Sequence, residues 1–464
     1  MLKSRNKKAI DMVNGPLITG ILKFSIPLML SGILQLIFHA ADLVVAGQFA
    51  ESGSIGAVGA TGPIINLIVN TFIGLSVGSC VIVAQCFGAG NKNGITKAVH
   101  TSIAIAIISG ILTAVLGFVF AKNLLIATGT PADIMQKSTI YLQIYFLGSP
   151  FNITYNFGAG ILRAVGETKK PLYYLIFSGI VNVVLNLVLV IVFKMGVAGV
   201  AIATVISQII SCVLVMIYLM RTNLPIKFSF KDLKISKREL FTIIKIGLPA
   251  GIQSALFSFS NVLIQSSYNS LGVAVVEGNS AGSSIDGFIY MAMNSVAQSA
   301  ITFTSQNYGA KRYRRITKIL LSSCLVVVII GITLGSLSIL FRKTLIGLYL
   351  ADTASQSMIS IAEKRLFYIC SVYFLCGIME ILANVLRGIN RSLLPMIVSL
   401  IGVCVFRVIW VYTAFVWFPS VDTLYISFPV SWIMTITAHC VCYIVATKQL
   451  KKKHPDYYLK QSDN

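Results

Sequence analysis

An all-α integral membrane protein, with twelve transmembrane helices in two homologous six-helix lobes, is the fold class this sequence predicts. Composition is the first of three observations behind it. Of 464 residues, 56% are hydrophobic and 11% charged, and the mean hydropathy is +0.84. A water-soluble chain of that length needs a charged surface, so the bilayer is the main solvent. The second observation is a repeat. Gln85, Gly88, Ala89 and Ile95-Thr96-Lys97 recur as Gln306, Gly309, Ala310 and Ile316-Thr317-Lys318, each 221 positions on. Leu162-Arg163 with Pro171 recurs as Leu386-Arg387 with Pro395, 224 positions on. A displacement that drifts so little between separate motifs marks an internal duplication, and duplicated apolar chains are characteristic of transporters. The third observation is the sidedness of the basic residues.

Apolar stretches of about 20 residues place the helices. They fall at 17–48, 54–83, 95–120, 138–162, 171–193 and 197–220, then at 240–268, 279–306, 316–341, 364–387, 393–417 and 424–447. Counted over tails and alternate loops, 27 of the 37 Lys and Arg lie on one side. Seven lie on the other: Lys122, Lys137, Lys194, Arg342, Lys343, Lys364 and Arg365. Lys23, Lys245 and Arg407 fall inside helices. The excess predicts that both termini are cytoplasmic and that the chain is a multi-pass protein of the plasma membrane. The longest predicted cytoplasmic connection, 229–239, is rich in Lys, Ser and Asp and falls where the repeat restarts. The expected organisation is an N-lobe over 1–228, a linker over 229–239 and a C-lobe with a basic tail over 240–464.

That topology accounts for the formal charge of +22 without nucleic acid, because the basic residues punctuate apolar spans on one side. The first span is too long for a signal peptide and has no convincing cleavage site. All nine cysteines lie in or at the ends of predicted helices with no paired loop spacing, which reads as packing. His439-Cys440 with Cys442 has the residue types of a metal site, but neighbours on a helix point apart. No Walker loop or dinucleotide turn is present, so ATP is not the expected energy source.

Polar chemistry inside the spans carries the functional reading, since an ionisable group in the membrane is costly. Asp42 lies about two turns from the outer end of the first helix, and Gln35, His39 and Asp42 fall at i, i+4 and i+7, on one helix face. Asn182 and Asn186 share a face of the fifth helix, Thr204, Gln208 and Ser211 one of the sixth, and Asn152 and Asn156 one of the fourth. Singly, such groups bridge helices; together they can surround one carboxylate. The second half carries Ser254, Ser258, Asn261 and Gln265 on its first helix, then Asp286, Glu380 with Asn384, and Arg407. Counted inward from the predicted helix ends, Asp286 and Arg407 reach similar depths, which predicts a structural ion pair. Glu380 has no obvious partner and reads as a substrate or proton site, or as a carboxylate snorkelling to the interface.

The stretches Asp42-Leu-Val-Val-Ala-Gly47, Ala57-Val-Gly-Ala-Thr-Gly-Pro-Ile64, Gly74-Leu-Ser-Val-Gly78 and Val83-Ala-Gln-Cys-Phe-Gly-Ala89 resemble the first two helices of the MATE family, the multidrug and toxin extrusion antiporters. Leu162-Arg163-Ala-Val-Gly166 with Pro171, and Leu386-Arg387-Gly-Ile-Asn390 with Pro395, resemble its helix 4–5 and 10–11 junctions. The resemblance spans essentially the whole chain. It implies two lobes around a central cleft and export of drugs or organic cations in exchange for protons or sodium ions. It matches Asp42 to the family's helix-1 acid, Asn182 to a helix-5 amide and Thr204 to a helix-6 hydroxyl, a cation-coupling set that Asn186 completes. Asn186 stands where many relatives have a second acid. Helix 7 offers Gln253 or Ser254 in place of the glutamate of sodium-coupled members, and Glu380 is displaced by about a turn from the usual helix-10 acid. Gln35, His39, Glu380 and Asp286 are the candidates for a substrate or second cation site.

A flippase for lipid-linked sugars is the rival class, but a diphosphate cargo calls for a cavity lined with Arg or Lys. Here three mid-membrane acids stand against one arginine, which favours cationic cargo. An enzyme is not expected, because the spans hold no nucleophile–base pair. The expected partners are small, amphipathic, cationic molecules and the lipid bilayer, the expected working unit is a monomer, and the only accessory is the coupling ion, H+ or Na+.

Overall fold

The computed structural model describes residues 10–51, 53–350 and 355–455, and among these the ordered secondary structure is helical throughout. The helices are α1 Leu17–Phe49, α2 Ser54–Gly88, α3 Lys92–Ala127, α4 Ala132–Leu147, α5 Ser149–Ala164, α6 Lys169–Val192, α7 Gly196–Arg221, α8 Lys237–Ser270, α9 Val273–Gly309 and α10 Tyr313–Leu340. After the short α11 Arg342–Gly347 come α12 Gln356–Cys370, α13 Phe374–Gly388, α14 Leu393–Trp417 and α15 Val421–Lys453.

Every expected span is helical, but twelve do not qualify individually as membrane crossings. Nine helices among the described residues are long and apolar enough, and ten if α12 and α13, bent by 46° at their junction, count as one. The expected 138–162 span is broken into two helices of 16 residues each, α4 and α5. Pro150 is the cause: it has no N–H for the ladder and its ring crowds the preceding turn, so the chain tightens at Gly148, whose N–H bonds to Tyr145 O at 3.0 Å. The helix at the 279–306 position, α9, is 37 residues long but too polar to qualify; Ser280, Ser283, Ser284, Ser295 and Thr302 turn their hydroxyls back onto its own carbonyls.

The duplication is visible in the backbone. After α2, Asn91 N–H bonds to Cys86 O at 3.0 Å across Gly90 at φ +68°; after α9, Arg312 N–H bonds to Asn307 O at 2.9 Å across Lys311 at φ +59°. These positions correspond at the 221-residue displacement. At the 224 displacement, Glu167 N–H to Leu162 O across Gly166 at φ +88° has its counterpart in Arg391 N–H to Leu386 O across Asn390 at φ +65°. Each is a helix end closed by a left-handed residue, supplied by glycine in the first half and by Lys or Asn in the second.

Contacts divide the chain into two compact units, Leu30–Gly251 and Ile10–Met29 with Ile252 onward. Both cuts fall inside a helix, α1 and α8, close to Pro27 and Pro249. The contact units therefore differ from the sequence repeats by the first half of each of these helices. In the first unit the core forms where α2, α3, α5 and α7 meet, around Val83, Val99, Leu162 and Val215. Glycines bring backbones together there: a Cβ on Gly74 would fall on Gly251, and one on Gly78 on Ile243 and Gly247. Such small-residue contacts replace the hydrophobic drive that lipid removes. The segment before α8 is tied to α3, with Ser229 N–H donating to His100 Nε2 at 3.2 Å and Ser236 N–H to Thr101 Oγ1 at 3.0 Å. In the second unit α9 packs on α10, α12 and α13, and Phe24 meets Phe303 edge-on at 6.1 Å.

Candidate functional site

In the first unit, α1, α4, α6 and α7 build a polar site inside an apolar collar of Val45, Ala46, Ala57, Val58, Val197 and Val200. Asp42 is 7% exposed. Asn186 Nδ2 donates to Asp42 Oδ1 and lies 3.5 Å from Asn182 Oδ1. The side chains of Asn182 and Thr204 are also within hydrogen-bonding reach of the carboxylate, while the Thr204 hydroxyl donates to Val200 O at 3.0 Å. Asn186 Oδ1 is buried without a hydrogen-bond partner. None of the four ion pairs among the described residues involves Asp42. The arrangement is a buried acid surrounded by neutral oxygens, one of them unsatisfied, which suits a proton or a small cation.

The sequence brought Asp42, Asn182, Asn186 and Thr204 together from three helices, and the structure places them in one site. Gln35 and His39 are different. Both are exposed, whereas Asp42, one and two turns further along the same helix, is enclosed by α6 and α7. Sequence reasoning missed Tyr141 and Tyr145 on α4, which flank the acid. Both lie within the expected 138–162 span, and the sequence carries no signal that this face of α4 meets Asp42. At the α1–α2 connection, Lys137 pairs with exposed Glu51 at 2.9 Å and holds its carboxyl below the ordinary range.

In the second unit the expected Asp286–Arg407 pair is replaced by another. Asp286 Oδ2 receives Arg365 Nε at 2.9 Å and Nη2 at 2.8 Å, and Arg365 Nη1 reaches Asn279 Oδ1 at 2.7 Å, which also accepts from Tyr425 at 3.3 Å. Arg365 counts as a loop charge in the sequence because polar residues begin there, whereas α12 begins at Gln356 and buries it. Arg407 instead donates to Ser431 Oγ at 3.0 Å and lies over the Phe428 ring at 4.0 Å. Glu380 is partly buried and faces Arg387, two turns on along α13. Arg387, buried and also read from sequence as a loop charge, donates to Asn384 Oδ1 at 2.9 Å and to Gln253 Oε1 at 2.8 Å. Gln253 thus serves as acceptor for an internal cation. Asp286 is bound up in its ion pair and does not join Glu380 in an open site, while Gln35 and His39 lie in the other unit.

Three segments in which the helical ladder widens to the π pattern adjoin these groups. Val188–Val192 follows Asn186, Leu366–Cys370 follows Arg365, and Leu400–Val405 precedes Arg407. Such bulges frequently mark functional positions.

A duplicated bundle of long apolar helices with an isolated buried acid in one half has the construction of a secondary transporter. The sequence pattern of the MatE family matches residues 27–188 and again 249–413, and the chain belongs to that family. The two matches begin at Pro27 and Pro249, in register with the duplication. Among relatives, it is 28% identical over 387 residues to the probable multidrug resistance protein YoeA of Bacillus subtilis, covering 82% of this chain and 83% of that one. It is 27% identical over 400 residues to the probable multidrug resistance protein YpnP of the same organism, covering 86% and 89%. In structure it resembles an outward-facing multidrug resistance MATE family transporter of the MOP superfamily, with a TM-score of 0.89 at 20% identity over 96% of this chain and 99% of that one. The likeness to that solved structure is one of fold.

Proposed function

We propose that this MATE multidrug efflux transporter exports amphipathic organic cations in exchange for protons or sodium ions, by alternating access between two homologous six-helix lobes, 1–228 and 240–464, joined by the 229–239 linker. The observation that carries the reading is Asp42: buried, ringed by Asn182, Asn186 and Thr204, and without a basic partner among the described residues. A carboxyl so held can exchange one small cation or proton for another, whereas Asp286 and Glu380 in the second unit each face an arginine. Alternating access lets Asp42 load on the outside and discharge inside, while cargo moves outward as the lobes rock. Exchange follows if loading and cargo favour different conformations.

In this reading the chain makes twelve passes of the plasma membrane, with α4–α5 and α9 crossing in spite of their break and polarity. Both termini are cytoplasmic and the working unit is a monomer. The basic count supports the orientation: moving buried Arg365 and Arg387 out of the loops leaves 26 against 6. A lipid-linked diphosphate cargo is disfavoured, although the interior holds two more arginines than the sequence suggested. Arg365 and Arg387 are matched by Asp286 and Glu380, so of the three buried arginines of the second unit Arg407 alone has no facing carboxylate among the described residues. The test is uptake of a fluorescent organic cation into inverted vesicles under separately imposed proton and sodium gradients. Uptake driven by one gradient supports antiport and names the ion; uptake indifferent to both removes the proposal.

A further inference from the structure

In the second unit the first turns of α10 lie beside the last turns of α15. The Tyr313 ring stacks on that of His454 with centroids 5.2 Å apart, and the Thr317 and Tyr443 hydroxyls are 2.9 Å apart. Deeper along both helices Cys324 lies towards Cys440. As the numbers rise along α10 they fall along α15, so the two helices are antiparallel. Each turns a matched stripe outward next to this seam. Arg314, Lys318 and Leu321 fall at i, i+4 and i+7 on α10, and Ile444, Lys448 and Lys451 do so on α15. All six are exposed, Leu321 by 64% and Ile444 by 51%. Counted round each helix from its buried face through the face that meets its neighbour, the stripe is the next face reached. In an antiparallel pair those two faces border the same side of the seam. The result is a groove with two cations on each wall at the helix ends and apolar surface one turn deeper.

No acid compensates these cations. Neither 311–350 nor 423–455 contains an Asp or Glu, and none of the four takes part in an ion pair among the described residues. Other basic connections carry acids among their lysines, with Glu167 before Lys169 and Lys170, and Asp232 and Glu239 in the linker. Sidedness accounts for basic residues at this end of the helices, but not for four of them uncompensated along one groove. The duplication shows that the equivalent place in the first unit is covered. Leu321 stands 221 positions after His100, which is 3% exposed because the chain itself lies over it, Ser229 N–H donating to His100 Nε2 at 3.2 Å.

We propose that the α10–α15 groove seats an anionic phospholipid, with its phosphate between Arg314 and Lys318 on one wall and Lys448 and Lys451 on the other, and an acyl chain along Leu321 and Ile444. Cations ending in apolar surface match a phosphodiester carried on a hydrocarbon tail, whereas a zwitterionic head brings a cation of its own into the cluster. The site requires only a membrane protein, and stands or falls independently of Asp42, which lies in the other unit.

The test is native mass spectrometry of the full chain in detergent, titrated with phosphatidylglycerol or with phosphatidylcholine of the same acyl chains. Phosphatidylglycerol should bind more tightly by roughly tenfold or more. Arg314→Gln with Lys318→Gln, and Lys448→Gln with Lys451→Gln, should each remove most of that preference. Lys231→Gln with Lys234→Gln, which takes the same charge from exposed positions of the linker, should leave it unchanged. Equal affinity for the two lipids, or an equal loss in the linker variant, overturns the site. Displacement of the lipid by inorganic phosphate overturns it too, because the ligand would then be a soluble phosphate. A chain ending at Pro455 should bind as the full chain does; binding gained only on truncation would make the chain's own end the occupant and contradict the proposal.

Discussion

Asp286 and Arg365 show at the residue scale what can and cannot be read from hydropathy. A charge in mid-helix is conspicuous when no other charge lies near it in sequence, which is why Asp42, Asp286 and Arg407 stand out. Arg365 and Arg387 sit where polar residues begin, and a buried arginine at such a place looks like the edge of a loop. The Asp42 set was legible because i, i+4 spacing put Asn182 and Asn186 on one face, and the family resemblance aligned Thr204 with them. The Asp286 partner was not, because it required the start of α12. Direct consequences follow for mutation. Arg365→Gln alone, or Asp286→Asn alone, strands a buried charge or donor and should cost about 3–5 kcal/mol, whereas the double variant should recover much of that loss. Thermal melting of the four forms gives the coupling. The same cycle between Asp286 and Arg407 should be additive within about 0.5 kcal/mol; strong coupling there would restore the pairing that Arg365 replaces in the structure.

Helices announce themselves by apolar runs, and at the element scale every expected span proved helical. Breaks and bulges are harder. Gly148 and Pro150 were present as a signal for the α4–α5 break, but the apolar run across them masked it; the π segments have no sequence signature of comparable strength. The close backbone approaches were not legible either, since a glycine in an apolar run does not say which helix it meets. Gly78→Leu should drive a side chain into the Ile243 and Gly247 backbones of α8 and lower the melting temperature sharply or prevent accumulation, while Leu67→Ala, at an exposed position of the same helix, should be tolerated. Gly166→Ala puts a Cβ on a left-handed residue and should cost about 1–2 kcal/mol. Asn390, its equivalent at φ +65°, already has a side chain there, so Asn390→Gly should be neutral or stabilising. Denaturation of the three variants in the same detergent checks the set; a stable Gly78→Leu would show that α2 and α8 do not pack as described.

For the whole molecule, duplication was the most legible property. Motifs alone gave the displacement, and the paired left-handed helix ends and the two family matches reproduce it. Which half of each first helix packs with which unit was not legible, because contact membership is set by tertiary packing rather than by repeat order. On the orientation proposed from charge, Lys234→Cys, at an exposed linker position, should be labelled by a membrane-impermeant maleimide only after cells are opened. Labelling in intact cells would reverse the topology.

In the proposed exchange one carboxyl, Asp42, couples ion entry to drug exit. Its most direct test is efflux of a fluorescent organic cation from proteoliposomes under the gradient that drives the parent protein. Asp42→Asn, which preserves shape and hydrogen bonding but cannot exchange a charge, should remain in the membrane and lose gradient-driven transport, while Asp42→Glu should retain part of it. Transport at the full parental rate by the Asn variant would contradict the account and shift the coupling role to Glu380.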